Sequence, residues 1–96
     1  MKKRLFVMLM KDKNKLTKDV VERHVSYLKM LDGEGKLYLC GPFIDYSGGM
    51  VIYKVETKEE AIMLGSKDPF ILEGYKTFEM KTLEVASKDN NYGLDG

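Results

Sequence analysis

The run Leu5-Phe6-Val7-Met8-Leu9-Met10 is apolar at every position. A strand with one face in water alternates apolar and polar residues, whereas a strand covered on both faces does not. The run therefore predicts a strand from about Arg4 to Met10 that needs cover on each side. It follows a basic start, Met1-Lys2-Lys3-Arg4, yet it is too short for the apolar core of a signal peptide. Lys11, Asp12 and Lys13 stand where small cleavage-site residues would be. No stretch approaches the length of a membrane span.

Thr17 is a good N-cap, and Asp19 follows it in the first turn. Val20, Val21, Val25, Leu28 and Leu31 then recur at helical spacing on one face, with His24 near its middle. Gly35 suits the residue just past the helix end. Lys36 to Cys40 is a short β-prone run, closed by Gly41-Pro42. Asp45-Tyr46-Ser47-Gly48-Gly49 reads as a turn or loop before a second doubly apolar strand, Met50 to Val55. Thr57-Lys58-Glu59-Glu60 has the form of a capping box. It opens a second helix that ends near Lys67. Asp68-Pro69-Phe70 stops that helix, because the residue before a proline avoids the helical region, and Asp68 can cap a new turn with Pro69 in its first position. Tyr75 to Val85 is the last strand. Phe78 and Met80 share one face and Leu83 and Val85 the other, a change of phase that predicts a bulge or a strand end packed against something new. One domain over residues 1–86 is expected, with 87–96 a polar, loose tail.

The order β-α-β-β-α-β is the ferredoxin-like, α+β arrangement: a four-stranded antiparallel sheet with both helices on one face. Two helices cover only one face of strands that are apolar on two. A chain of 96 residues also buries only about 60–65% of its unfolded surface. Both points predict a homodimer joined through the open sheet face. The alternative is that Phe6, Met8, Met50 and Ile52 form an exposed patch or bind a ligand.

The charge balance, 16 Lys+Arg against 15 Asp+Glu, argues against nucleic-acid or membrane partners held by bulk charge. The third strand, Gly49-Met50-Val51-Ile52-Tyr53, lacks the basic, aromatic signature of an RNA-recognition sheet. The single cysteine, Cys40, excludes an internal disulfide and a cysteine cluster, and points to a reducing, cytoplasmic setting. With one histidine, His24, any metal site would need several Asp or Glu ligands around that lone imidazole, which the composition disfavours. Cys40 reads as a packed thiol. Tyrosines 27, 38, 46 and 53 either line a cavity or edge the core.

His24 is the one side chain suited to proton transfer near neutrality, on a face where imidazole is an unusual filler. It is either a satisfied core histidine or a general acid/base. Asp68 ends an element on the same side of the sheet and is its natural partner, able to fix its tautomer, unless it serves only as a cap. Gly41, Pro42, Gly49 and Phe70 are candidate substrate-binding positions, with backbone amides near Gly41 or Gly49 available to an oxyanion.

His24 with Leu28 and Leu31, Glu34-Gly35-Lys36-Leu37, Gly41-Pro42, Gly48-Gly49, Thr57-Lys58-Glu59-Glu60-Ala61, Asp68-Pro69-Phe70 and Gly74 together resemble the YciI-like (YCII-related domain) pattern. The resemblance runs from about Arg4 to Val85 and rests on the ordered set, since no single motif is specific. It implies a dimeric ferredoxin-like α+β barrel and a His–Asp catalytic dyad that maps onto His24 and Asp68. It also implies lyase, isomerase or dehalogenase-like chemistry on small aromatic or lactone compounds, without metal or cofactor. This chain has no tryptophan, which many relatives carry near the end of the last strand, so the site wall around Thr82 to Ala86 is expected to differ. Two other readings share the cavity: a non-catalytic small-molecule-binding module, and a structural dimerisation domain.

Overall fold

The computed structural model describes residues 3–94. In chain order it contains β1 (Arg4–Asp12), α1 (Lys18–Gly33), β2 (Leu37–Pro42), β3 (Gly48–Tyr53), α2 (Lys58–Lys67), α3 (Pro69–Leu72) and β4 (Lys76–Glu84), followed by a 3-10 segment over Lys88–Gly93. The sheet is antiparallel in the order β2-β3-β1-β4. This is the ferredoxin-like α+β arrangement, with the apolar N-terminal run at its centre. The outer ends of the expected 1–86 domain and 87–96 tail lie outside the described residues. Within the expected tail, Ser87 and Asn90 form a reciprocal capping box.

Alternation along β1 sorts its side chains cleanly. Phe6, Met8 and Met10 point to the helices and join the buried core with Val20, Leu31 and Phe70. Across the ladder Phe6 faces Tyr53, and Met8 faces Val51 on one side and Met80 on the other. Val7 and Leu9 point the opposite way, beside Ile52 and Met50. Phe6 and Met8 therefore do not belong to the face without helices; the period-2 geometry gives that face Val7, Leu9 and Met50, which are half-buried, and Ile52, which is buried.

Local signals act as the sequence implies. Thr17 Oγ1 accepts from the Val20 amide at 3.2 Å. Gly35 takes φ +74°, and the amides of Gly35 and Lys36 donate to the carbonyls of Asp32 and Leu31, closing α1 in a Schellman motif. One signal acts only by half: Thr57 Oγ1 accepts from the Glu60 amide at 3.1 Å, but the Glu60 carboxylate turns to Lys36, 3.7 Å away, instead of bonding back, so Thr57 is a simple N-cap and not a capping box.

Two expectations change. The β1–β4 register runs unbroken from Arg4↔Glu84 to Asp12↔Lys76, so β4 carries no bulge. Its change of phase has another cause: Leu83 sits on the open face, opposite Leu5. The irregularity lies in β2, between Leu37 and Leu39. The extra residue there brings Cys40, and not Leu39, opposite Val51 and onto the helix face. Gly48 and Gly49 belong to β3 rather than to the preceding loop.

Candidate active site

Asp68 joins two elements. It ends α2, its amide donating to the Gly65 carbonyl at 3.2 Å, and it caps α3, its Oδ1 accepting from the Phe70 amide at 2.9 Å. Pro69 fills the first position of α3, where its missing N–H costs nothing. These local rules fix Asp68 in extended backbone at the junction. Both crossover helices lie on one side of the sheet, and that brings α1 alongside.

His24 Nδ1 lies 2.8 Å from the same Oδ1. The residues are 8% and 0% exposed respectively, so the contact is shielded from water. Oδ1 already accepts from the Phe70 amide, so His24 is assigned as the donor through Nδ1–H. In the neutral ring Nε2 is then a free base, with no hydrogen bond to another described residue. The ring is also held from the side: it stacks on Phe70 with centroids 3.7 Å apart and planes 12° from parallel. Asp68 Oδ2 is buried and has no hydrogen-bond partner among the described residues. Both hydrogen bonds to the side chain thus converge on Oδ1.

His24 and Phe70 form part of the wall of a cavity of about 350 Å³ between α1 and the sheet. Val21, Val25 and Leu28 of α1 face it. Val21 and Val25 stay more than a third exposed in consequence. The apolar stripe that the periodicity assigned to the core therefore divides: Val20 and Leu31 are buried in the core, and the others line the cavity. Gly41 and Pro42 are in the wall as well. Gly49 is not. It is buried against β2, where a Cβ would lie 3.0 Å from the Gly41 carbonyl oxygen, so its role is close strand packing.

Cys40 lines the cavity and is exposed, not packed away. Partial desolvation of its sulfur beside the sheet, with the charges of Asp32 and Asp68 adding to the effect, pushes the thiol pKa up and disfavours a thiolate. None of the four tyrosines weighed from the sequence reaches this wall. Tyr27 donates to the Leu64 carbonyl at 2.7 Å, and burial raises its pKa to about 12. Tyr53 is fully buried, its hydroxyl 3.8 Å from Met8 Sδ, and burial likewise drives its pKa upward. Tyr46 lines a second cavity of similar size near the β2–β3 hairpin, which includes neither His24 nor Asp68.

Lys76 is a wall residue that inspection of motifs missed. Its side chain is 7% exposed, its Nζ is 3.0 Å from Asp12 Oδ1, and it sits 4.8 Å from the Phe70 ring centroid. Asp12 also accepts from Ser47 at 2.9 Å. The hydrogen bond from Lys76 is the main reason that the Asp12 carboxyl is held below its ordinary value. A signal was present: Lys76 is in phase with Phe78 and Met80 along β4, a polar residue on the core-facing side of a strand. No group of three or more His, Cys, Asp or Glu among the described residues is arranged to hold a metal ion.

The YCII-related domain family model matches residues 4–83. The uncharacterized protein YjpA of Bacillus subtilis (strain 168) is 30% identical over 76 residues, spanning 79% of this chain and 89% of YjpA. Among solved structures, 5-chloro-2-hydroxyhydroquinone dehydrochlorinase (TftG) from Burkholderia phenoliruptrix AC1100, in complex with 2,5-dihydroxybenzoquinone, superposes with a TM-score of 0.65. The match covers 91% of this chain and 99% of that one at 20% identity, a likeness of fold.

Proposed function

The chain belongs to the YCII-related domain family, and from that premise we propose that it is a cofactor-independent enzyme using His24 and Asp68 for acid–base chemistry on a small organic metabolite. The observation that carries the reading is the shielded 2.8 Å contact between His24 Nδ1 and Asp68 Oδ1 at the wall of an apolar cavity. In this reading Nε2 takes a proton from the substrate, and Asp68 orients the ring and stabilises the imidazolium. In an elimination, the electron pair left by that proton forms a new π bond, and the leaving group departs with its own bonding pair. In an isomerisation, the imidazolium returns the proton to a different atom of the substrate. General acid–base help of this kind contributes about 10²–10⁴-fold.

A cavity of about 350 Å³ with an apolar wall suits a flat ring. The dehydrochlorinase of the same fold acts on a chlorinated, hydroxylated ring, which makes that class the first to try. Gly41, Pro42 and Phe70 are the proposed substrate contacts, to which the cavity adds Val21, Val25 and Leu28. A homodimer through the open sheet face is part of the proposal, supported by the half-buried Val7, Leu9 and Met50 on the side without helices. Sedimentation of a monomer at micromolar concentration would remove that part. A reducing, cytoplasmic setting accords with the free thiol of Cys40. No helix among the described residues is long and apolar enough to cross a membrane.

Planar hydroxylated rings are expected to shift the NMR signals of the imidazole, which need no assignment because there is one histidine. Turnover, sought first as chloride release from 5-chloro-2-hydroxyhydroquinone, should fall by about 10²-fold or more in His24→Ala. A folded His24→Ala that works at the wild-type rate ends the reading. Ligand binding with no turnover of any ring tested would turn it into a binding module.

A further inference from the structure

Lys76 is a cation in an otherwise nearly apolar wall. A lysine this buried is uncommon, and it persists only when its charge is met. Asp12 meets it incompletely: the carboxylate is 42% exposed, is shared with Ser47, and takes one of the three ammonium protons. The Phe70 face takes a second direction at 4.8 Å. Nζ has no other hydrogen-bond partner among the described residues. Its third N–H is therefore available at a cavity wall that also includes the ring of His24. Phe70 ties the two groups together, stacked on His24 and in contact with the Lys76 ammonium. A base and a fixed cation thus adjoin the same aromatic ring and the same cavity.

We propose that Lys76, positioned by Asp12 and Phe70, is a substrate-binding residue that selects ligands carrying an anionic oxygen, such as an acidic ring hydroxyl or a carboxylate. The inference rests on the ligand cavity proposed above and adds the charge of its occupant. The cation would lie where negative charge resides on the bound ring, and it would hold a deprotonated oxygen more tightly than a neutral one. Salt bridging to Asp12 keeps the ammonium in place when the cavity is empty. It does not saturate it, because the carboxylate sits toward solvent.

The experiment is a binding titration of the full chain with 2,5-dihydroxybenzoquinone, whose hydroxyls are acidic, and with its neutral dimethyl ether. Wild type, Lys76→Met and Lys76→Arg are compared, with thermal midpoints recorded for each. The expected result is that Lys76→Met weakens the acidic ring roughly tenfold or more and leaves the ether unchanged, while Lys76→Arg retains most of the preference. Equal affinity of wild type for the two rings overturns the proposal. So does a Lys76→Met variant that keeps the preference, or a parallel loss of both ligands with a lowered midpoint in both variants, which would make Lys76 only a latch between β1 and β4. If neither ring binds, anion selection is overturned as well. The His24–Asp68 reading is then judged separately by imidazole ¹⁵N shifts in wild type and Asp68→Asn, which need no ligand.

Discussion

Arg23 and His24 are neighbours on α1, and each reaches across to α3, yet the two contacts differ in kind. Arg23 pairs in a fork with Glu73 just past the end of α3, and with Asp19 one turn back. Both partners of the Arg23–Glu73 pair are more than a third exposed. Water and salt screen them, and long side chains give up freedom to meet, so such a pair contributes little. His24 pairs with Asp68 at the start of α3, where neither is open to solvent. There the low polarity makes a hydrogen bond stronger and a missing one costlier. Adjacent residues on one helix thus make contacts of different character: one tethers a surface, and the other fixes an imidazole ring at a cavity wall.

The sharpest way to break this comparison is to remove Asp68. Asp68→Ala deletes the cap of α3 and leaves the His24 Nδ1–H unpaired, so urea unfolding should show a loss of about 2–4 kcal/mol. Glu73→Ala should leave the same curve nearly unchanged. Equal effects would mean that burial does not separate the two contacts.

His24→Ala comes next. It leaves a buried carboxylate without its imidazole and is expected to cost about 1–3 kcal/mol while the chain still folds. Asp68→Asn should cost less than either alanine, because an amide oxygen still caps the Phe70 amide. Imidazole ¹⁵N shifts are expected to report the Nδ1–H form in wild type, and a changed tautomer ratio in Asp68→Asn. An unchanged ratio would show that Asp68 does not set the ring's tautomer.

Lys76–Asp12 falls between the extremes, with one partner buried and the other half out. The Asp12 pKa is lowered on folding, so the carboxylate stabilises the fold above its ordinary value of 3.8 and loses that effect as pH falls through the lowered one. Asp12→Asn should therefore melt earlier than wild type at neutral pH. The two midpoints should converge in acid below that value. A constant gap down to strong acid would sever the link to this carboxylate.

The smallest effect belongs to Arg23. Arg23→Gln is expected to shift the melting midpoint by no more than the scatter of the measurement, and any residual shift should vanish in molar salt. A salt-resistant destabilisation would show that the fork with Glu73 is less screened than its exposure implies.

Strands, helices and their order were legible because their causes are local. An apolar run with no polar break, Thr17 and Thr57 as caps, Gly35 at a positive φ and Asp68-Pro69 at a helix junction each act within a few residues of themselves. From that order follow the antiparallel sheet and the helices on one side, and so the chance for His24 and Asp68 to meet. Distance along the chain, 44 residues, meant that only folding could decide whether they do. The division of the α1 stripe between core and cavity was likewise hidden, because periodicity reports a face and not what stands opposite it. The irregularity in β2 decided that Cys40 lines the cavity while Leu39 lies on the open face. A one-residue slip reverses every side chain after it, and nothing in Leu37-Tyr38-Leu39 announces it. Lys76 became a wall residue by register alone, since pairing β4 with β1 set its ammonium beside Asp12. The sequence by itself determined the elements and their topology, through interactions of short range. The tertiary structure decided which polar groups share one small, shielded space, because that depends on strand register and helix placement summed over the whole chain.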